Sequence, residues 1–126
     1  MADRKPIHFI GSAHKDLRSM PEDVKDAFGW ALLDVQYGDR PEGARPFGEG
    51  LPSSVMKLAE DFDGDTYRAA YTVEFVGAVY VLHVFKKKSK SGIATPLPDR
   101  NLVRTRLKLA EEHYRIHYAR QAQDER

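Results

Sequence analysis

The chain has 126 residues, 41% of them hydrophobic, with one Trp, six Tyr and six Phe, which is enough for one folded domain over residues 1–126 and too little for a second core. It has no cysteine, which excludes disulfides and thiolate metal sites. The net charge of +1 conceals a segregation: residues 75–108 hold eight Lys or Arg against one acid, Asp99, whereas the remainder holds twelve basic and eighteen acidic residues. One strongly positive region in a near-neutral chain points to a local anion site rather than to general adhesion.

The N-terminal stretch MADRKPIHFIG is too polar for a signal peptide, and no window is long and apolar enough for a membrane span, so a cytoplasmic protein is expected. Ile7-His8-Phe9-Ile10 reads as a short opening strand, stopped by Gly11-Ser12. Ala13 to Arg18 allows one or two helical turns. Ser19-Met20-Pro21-Glu22 has the pattern of a capping box, with Ser19 as cap and Pro21 in the first turn. Val24, Ala27, Phe28, Ala31, Leu32 and Val35 then recur at helical spacing, which predicts an amphipathic helix over 21–36.

Residues 38–52, with four glycines and three prolines, read as a surface loop. A strand is expected over 53–60, a turn at 61–65, and a second strand over 66–75. In the latter Tyr67, Tyr71, Val73 and Phe75 alternate with Arg68, Thr72 and Glu74, predicting one buried and one open face. Val76-Gly77 is a turn. Residues 78–86 are apolar on both phases, as in a central strand covered on both sides. A basic loop follows over 87–98, and Asp99 is placed to cap a final helix with the stripe Leu102, Val103, Leu107, Ala110 and Tyr114. The polar tail from about 120 is expected to fray.

The implied architecture is α+β: a small antiparallel sheet, made of an N-terminal strand plus a three-strand meander, with the helices on one side. No phosphate-loop glycine motif, no G-x-G-x-x-G and no nucleophile motif occurs. His113 and His117 have the i, i+4 spacing of a metal pair but lack an evident third ligand, so neither a metal site nor a cofactor is expected. The chemistry left is cationic. Lys57, Arg68 and the strand exit at Lys86, Lys87, Lys88 and Lys90 converge if the three strands are neighbours. Taken singly, such lysines usually blunt a sheet edge. As a group they suit phosphate and RNA.

The order Val55-Met56-Lys57-Leu58, Tyr67-Arg68-Ala69-Ala70-Tyr71, Tyr80-Val81-Leu82-His83-Val84-Phe85-Lys86-Lys87-Lys88-Ser89, Gly92-Ile93-Ala94-Thr95-Pro96 and a closing helix resembles the RelE/ParE toxin superfamily, in its HigB-like, phage-derived branch. The resemblance implies a RelE-like fold and the toxin of a type II toxin–antitoxin module: an mRNA interferase, a ribosome-dependent endoribonuclease acting without metal by 2′-hydroxyl attack. The implied partners are an antitoxin, often a helix-turn-helix protein, together with the ribosome and mRNA. A DNA gyrase inhibitor and a non-cleaving phage-derived binding protein are the alternatives. Within that reading Arg68 matches the family's arginine and stabilises the phosphorane. Lys87 and His83 complete the catalytic set, although His83 also reads as a hydrogen-bonded core residue. Lys57, Lys86, Lys88 and Lys90 contact phosphate. Tyr114, His117 and Tyr118 fall in no motif that matches the family's C-terminal acid.

Overall fold

The computed structural model describes residues 3–87 and 94–118. The elements in chain order are β1 (Ile7–Phe9), α1 (Ala13–Arg18), α2 (Glu22–Gln36), β2 (Arg45–Pro46), β3 (Val55–Phe62), β4 (Asp65–Thr72), β5 (Val79–Lys87) and α3 (Leu97–His117). They form a five-stranded sheet in the order β1-β5-β4-β3-β2. The α+β class and the meander β3-β4-β5 are as expected. β1 instead pairs parallel to β5, while every other pairing is antiparallel.

Turn chemistry sets the meander. Asp63 and Gly64 form a two-residue connection between the paired Phe62 and Asp65, and both have positive φ, 50° and 83°. Asp-Gly tolerates that geometry, which matches the right-handed twist of the strands it joins.

The helices do not share one side of the sheet. Val24, Phe28, Leu32 and Val35 of α2, with Ala13 and Leu17 of α1, pack on Leu58, Tyr67, Ala69, Tyr71, Val79 and Val81. Val103, Leu107 and Ala110 of α3 pack on the opposite face, against Val55, Ala70, Tyr80, Leu82 and Phe85. The reason is visible in the strands. β5 is buried on both phases and β4 is buried at every position from Ala69 to Thr72, so both faces need a cover. β4 accordingly ends at Thr72, and Val73 is exposed, against the expected continuation to Phe75. Phe28→Ala removes the largest α2 side chain from the first core (2% exposed) and is expected to cost about 3–5 kcal/mol, read as a lowered denaturant midpoint.

Three local expectations are corrected. Ser19 does not cap α2. Its hydroxyl donates to the Lys15 carbonyl (2.9 Å) and so closes α1, while Pro21 is the N-cap of α2 without a side-chain bond. Asp99 does not cap α3, which begins two residues earlier after Pro96, and its carboxylate is engaged elsewhere. The 38–52 segment is not only surface: Pro41, Ala44, Phe47 and Leu51 are buried, and Arg45–Pro46 adds an edge strand to β3.

The register of β5 shifts once. Ala70 pairs with His83 and Tyr71 with Val81, leaving Leu82 as an extra, bulged residue. Such a bulge reverses the alternation beyond it. Tyr80 faces α3 before the bulge; His83, Phe85 and Lys87 face α3 after it.

Candidate nucleic-acid interface

The bulge turns Lys87 onto the face that carries Arg45, Lys57 and Arg68. On the face covered by α3, strand pairing aligns Arg45, Lys57, Ala70 and His83 in one row and Ala59, Arg68 and Phe85 in the next. Lys87 stands beyond them, opposite Thr66. α3 covers only part of this face, and a cavity of about 370 Å³ remains, lined by Gly43, Arg45, Lys57, Ala59 and Arg68. Burial, and then the charges of Arg68, Lys87 and Arg45, lower the Lys57 pKa, with Glu49 opposing them. Four basic groups from β2, β3, β4 and β5 therefore share one electrostatic environment. Lys57 Nζ also lies 5.6 Å from the centroid of the Phe47 ring, a cation–π distance that holds the ammonium over the sheet. The Arg68 Nε is shielded from solvent and has no hydrogen-bond partner among the described residues, so its guanidinium is oriented by packing while donors remain for a ligand.

Lys86 points to the opposite face, as alternation next to Lys87 requires, and pairs with Asp65 at 3.0 Å. It is not part of the cluster. Lys88 and Lys90 lie outside the described residues. Arg45 went unnoticed in the sequence because a Gly/Pro-rich loop gives no strand signal.

His83 is buried, 6% exposed, and is neither inert core nor free. Its Nε2 lies 2.8 Å from Asp99 Oδ1, and Arg106 Nη1 is 3.4 Å from its Nδ1. A guanidinium only donates, so Nδ1 accepts and the proton sits on Nε2, donated to Asp99. Burial lowers the His83 pKa, opposed by the Asp99 hydrogen bond and charge. The imidazole stacks on Phe85 at 4.5 Å and 13°. With Asp99, Asp16 and Lys86 it lines a second cavity, of about 570 Å³, at the free edge of β5 past the end of β1. Arg106 itself is buried, and donates to the Leu82 carbonyl and to Ser12 Oγ, both at 3.1 Å.

At the far end of the sheet the third imidazole near His113 and His117 is His8 of β1, with ring centroids 4.6 Å from His113 and 4.2 Å between His113 and His117. Both bonded rings are spoken for: His8 Nε2 by the Tyr118 hydroxyl (2.6 Å), His113 Nδ1 by the Tyr80 hydroxyl (2.7 Å). No group suited to hold a metal occurs among the described residues. Burial and then His117 lower the His8 pKa, and burial, His117 and His8 lower that of His113. Both therefore fold as neutral bases. The unfolded chain binds protons first as pH falls, so this part of the stability is intact above the ordinary value of 6.5 and is lost below it. Denaturant midpoints are expected to fall between pH 7.5 and 5, and a His8→Asn/His113→Gln variant to show a flatter profile over that window.

The family model described as phage derived protein Gp49-like (DUF891) matches residues 15–108. The chain belongs to this phage-derived family. It is similar in structure to the isolated E. coli RelE toxin, with a TM-score of 0.51, 20% identity, and coverage of 80% of this chain and 98% of that one. A free-state arginine double mutant of E. coli RelE aligns with a TM-score of 0.52 and 21% identity, covering 70% of this chain and 88% of that one. The fold of this Gp49-like chain is thus the RelE fold, in agreement with the superfamily resemblance of its strand motifs. No curated protein matches the sequence. No helix among the described residues is long and apolar enough to cross a membrane.

Proposed function

We propose that this Gp49-like protein is the toxin of a toxin–antitoxin pair and that it cleaves mRNA on the ribosome, with Arg68 and Lys87 stabilising the phosphate at the scissile bond. The observation that carries this reading is the gathering of Arg45, Lys57 and Arg68 around an open cavity of a RelE-type sheet, with the buried Lys87 adding its charge beside them.

RNA cleavage by the neighbouring 2′-hydroxyl needs a proton acceptor, fixed positive charge for the phosphorane and a proton for the departing 5′-oxygen. Pre-positioned cations serve the second need without reorganisation. A guanidinium fork matches two phosphate oxygens, which suits Arg68. Lys57, whose ammonium is disfavoured by burial and three like charges, is the group best suited to take the 2′ proton. His83 lies beyond Phe85 from Arg68 and lines the other cavity, with Nε2 on Asp99 and Nδ1 on Arg106, so it is not assigned the 5′-oxygen proton. Sequence-independent contacts from Arg45 complete the backbone grip. A small antitoxin, with a helix-turn-helix domain, is the expected neutralising partner.

The test is to induce the protein in cells and map mRNA 5′ ends. Cuts confined to translated messages and linked to codons are expected. A DNA damage response without new 5′ ends contradicts this reading and favours gyrase inhibition, and growth arrest that needs only an antitoxin-like partner favours a non-cleaving binding protein.

A further inference from the structure

The segment Phe47-Gly48-Glu49-Gly50-Leu51 has an unusual backbone. Its ends are fastened, Phe47 at 2% and Leu51 at 8% exposure. Its three central residues are all left-handed, with φ of 73°, 55° and 83°. Glycine adopts this region freely, but a Glu between two such glycines stores strain. Asn tolerates the conformation better than Glu does, so the backbone gives no reason for this residue.

The side chain does. Glu49 Oε1 accepts the Thr95 backbone N–H at 2.7 Å and Oε2 accepts the Thr95 hydroxyl at 2.8 Å. Thr95 is 2% exposed. Burial opposes ionisation of Glu49, but the Thr95 bonds, with Lys57 and Arg100, hold its carboxyl below the usual range. Lys57 belongs to the cationic row of the site. The Arg100 Nε is shielded and has no partner among the described residues. Arg104 adds a further cation beside the loop: a Cβ at Gly50 would lie 3.6 Å from its Nη2. The Glu49 carboxylate thus meets both Thr95 donors, with the charges of Lys57 and Arg100 favouring its ionised form, on a loop that is fixed at both ends and strained in the middle.

We propose that the two Thr95 donors clamped by Glu49, beside the cationic cavity that Lys57 lines, are a phosphate subsite of the RNA track and that Glu49 is its internal occupant, a latch displaced when a backbone phosphodiester enters. This rests on the RNA-cleaving reading above for the identity of the ligand, though not for the Glu49–Thr95 clamp itself. Two oxygens on one centre, accepting one N–H and one O–H, are what a phosphodiester offers as well as a carboxylate. The cost of the latch is a weaker grip on RNA until the chain engages enough neighbouring cations to compete.

The experiment compares the wild type with Glu49→Gln, which keeps an amide oxygen for Thr95 and removes the charge. One arm measures affinity for a short single-stranded RNA carrying 2′-deoxy substitutions that block cleavage. Binding by the Gln variant is expected to be about fivefold tighter, the order of one partly exposed charge contact. The second arm titrates inorganic phosphate and follows the Thr95 amide resonance. It is expected to move in both proteins, and at lower phosphate in the variant. Equal or weaker RNA binding by a folded Glu49→Gln protein overturns the latch. A Thr95 amide that ignores phosphate in the wild type overturns the subsite, even if the variant does not fold. Neither arm needs a ribosome or an antitoxin. A failed latch leaves the Arg68 result untouched, and a working latch with no mRNA cuts removes the nuclease reading alone.

Discussion

Arg68→Ala is expected to lower RNA cleavage by about 10²–10³-fold while leaving the unfolding transition within about 0.5 kcal/mol of the wild type. The kinetic loss follows from the role: removing one fixed donor from a charge-stabilising site typically costs that much. The small stability effect follows from the position. Arg68 pairs across the sheet with Ala59 and Phe85 on the face that α3 leaves partly open, and it lines the cavity there. Its removal also relieves repulsion on Lys57. The Lys57 pKa should therefore rise toward the ordinary lysine value in this variant, a shift observable by NMR titration. Growth arrest on induction, together with purified-ribosome cleavage, reads the kinetic part. Full toxicity of a folded Arg68→Ala protein contradicts the assignment.

Arg106→Met is expected to do the reverse, destabilising the fold by about 2–3 kcal/mol. The bulge at Leu82 takes that residue's carbonyl out of register with β4, and Arg106 Nη1 satisfies it. Met fills similar volume but donates nothing, so a buried carbonyl loses its donor and Ser12, which still donates to Asp16, loses the bond it accepts. The close fit is written into Gly11, whose φ is 59° and where a Cβ would stand 2.8 Å from Arg106 Nε. Gly11→Ala should therefore weaken the same contact. Loss of the guanidinium also leaves His83 Nδ1 without its donor, while Asp99 still holds the Nε2 proton. A denaturation curve for Arg106→Met that overlays the wild type contradicts this role of Arg106.

Much of the scaffold was legible in the sequence because its signals are local. Helical spacing from Val24 to Val35, the apolar run of β5 and the Asp63-Gly64 turn each depend on residues near in the chain. The partition of the lysines was not legible. Whether Lys86 or Lys87 joins the Arg68 face depends on one bulged residue, and a single-residue shift exchanges the faces. Nothing in the VLHVFKK string marks Leu82 as the extra residue. The Arg106–His83–Asp99 chain and the Glu49–Thr95 clamp were missed for a related reason. Both join residues 16 to 46 apart through tertiary packing, and in the sequence they read as an ordinary helix arginine, a helix cap and a loop acid. Arg45 was hidden by the glycine and proline around it, although its pairing with Lys57 puts it squarely in the cationic row.

The proposed site requires Arg45, Lys57, Arg68 and Lys87 to act together on an RNA backbone. The salt dependence of binding to a non-cleavable single-stranded RNA tests this most directly. For each cation removed singly by substitution with Gln, the slope of log affinity against log salt should become shallower by about 0.7. Lys86→Gln, on the other face, should leave the slope unchanged. Equal slopes for the wild type and the Lys57, Arg68 and Lys87 variants, or a change with Lys86→Gln as large as theirs, would contradict a shared site.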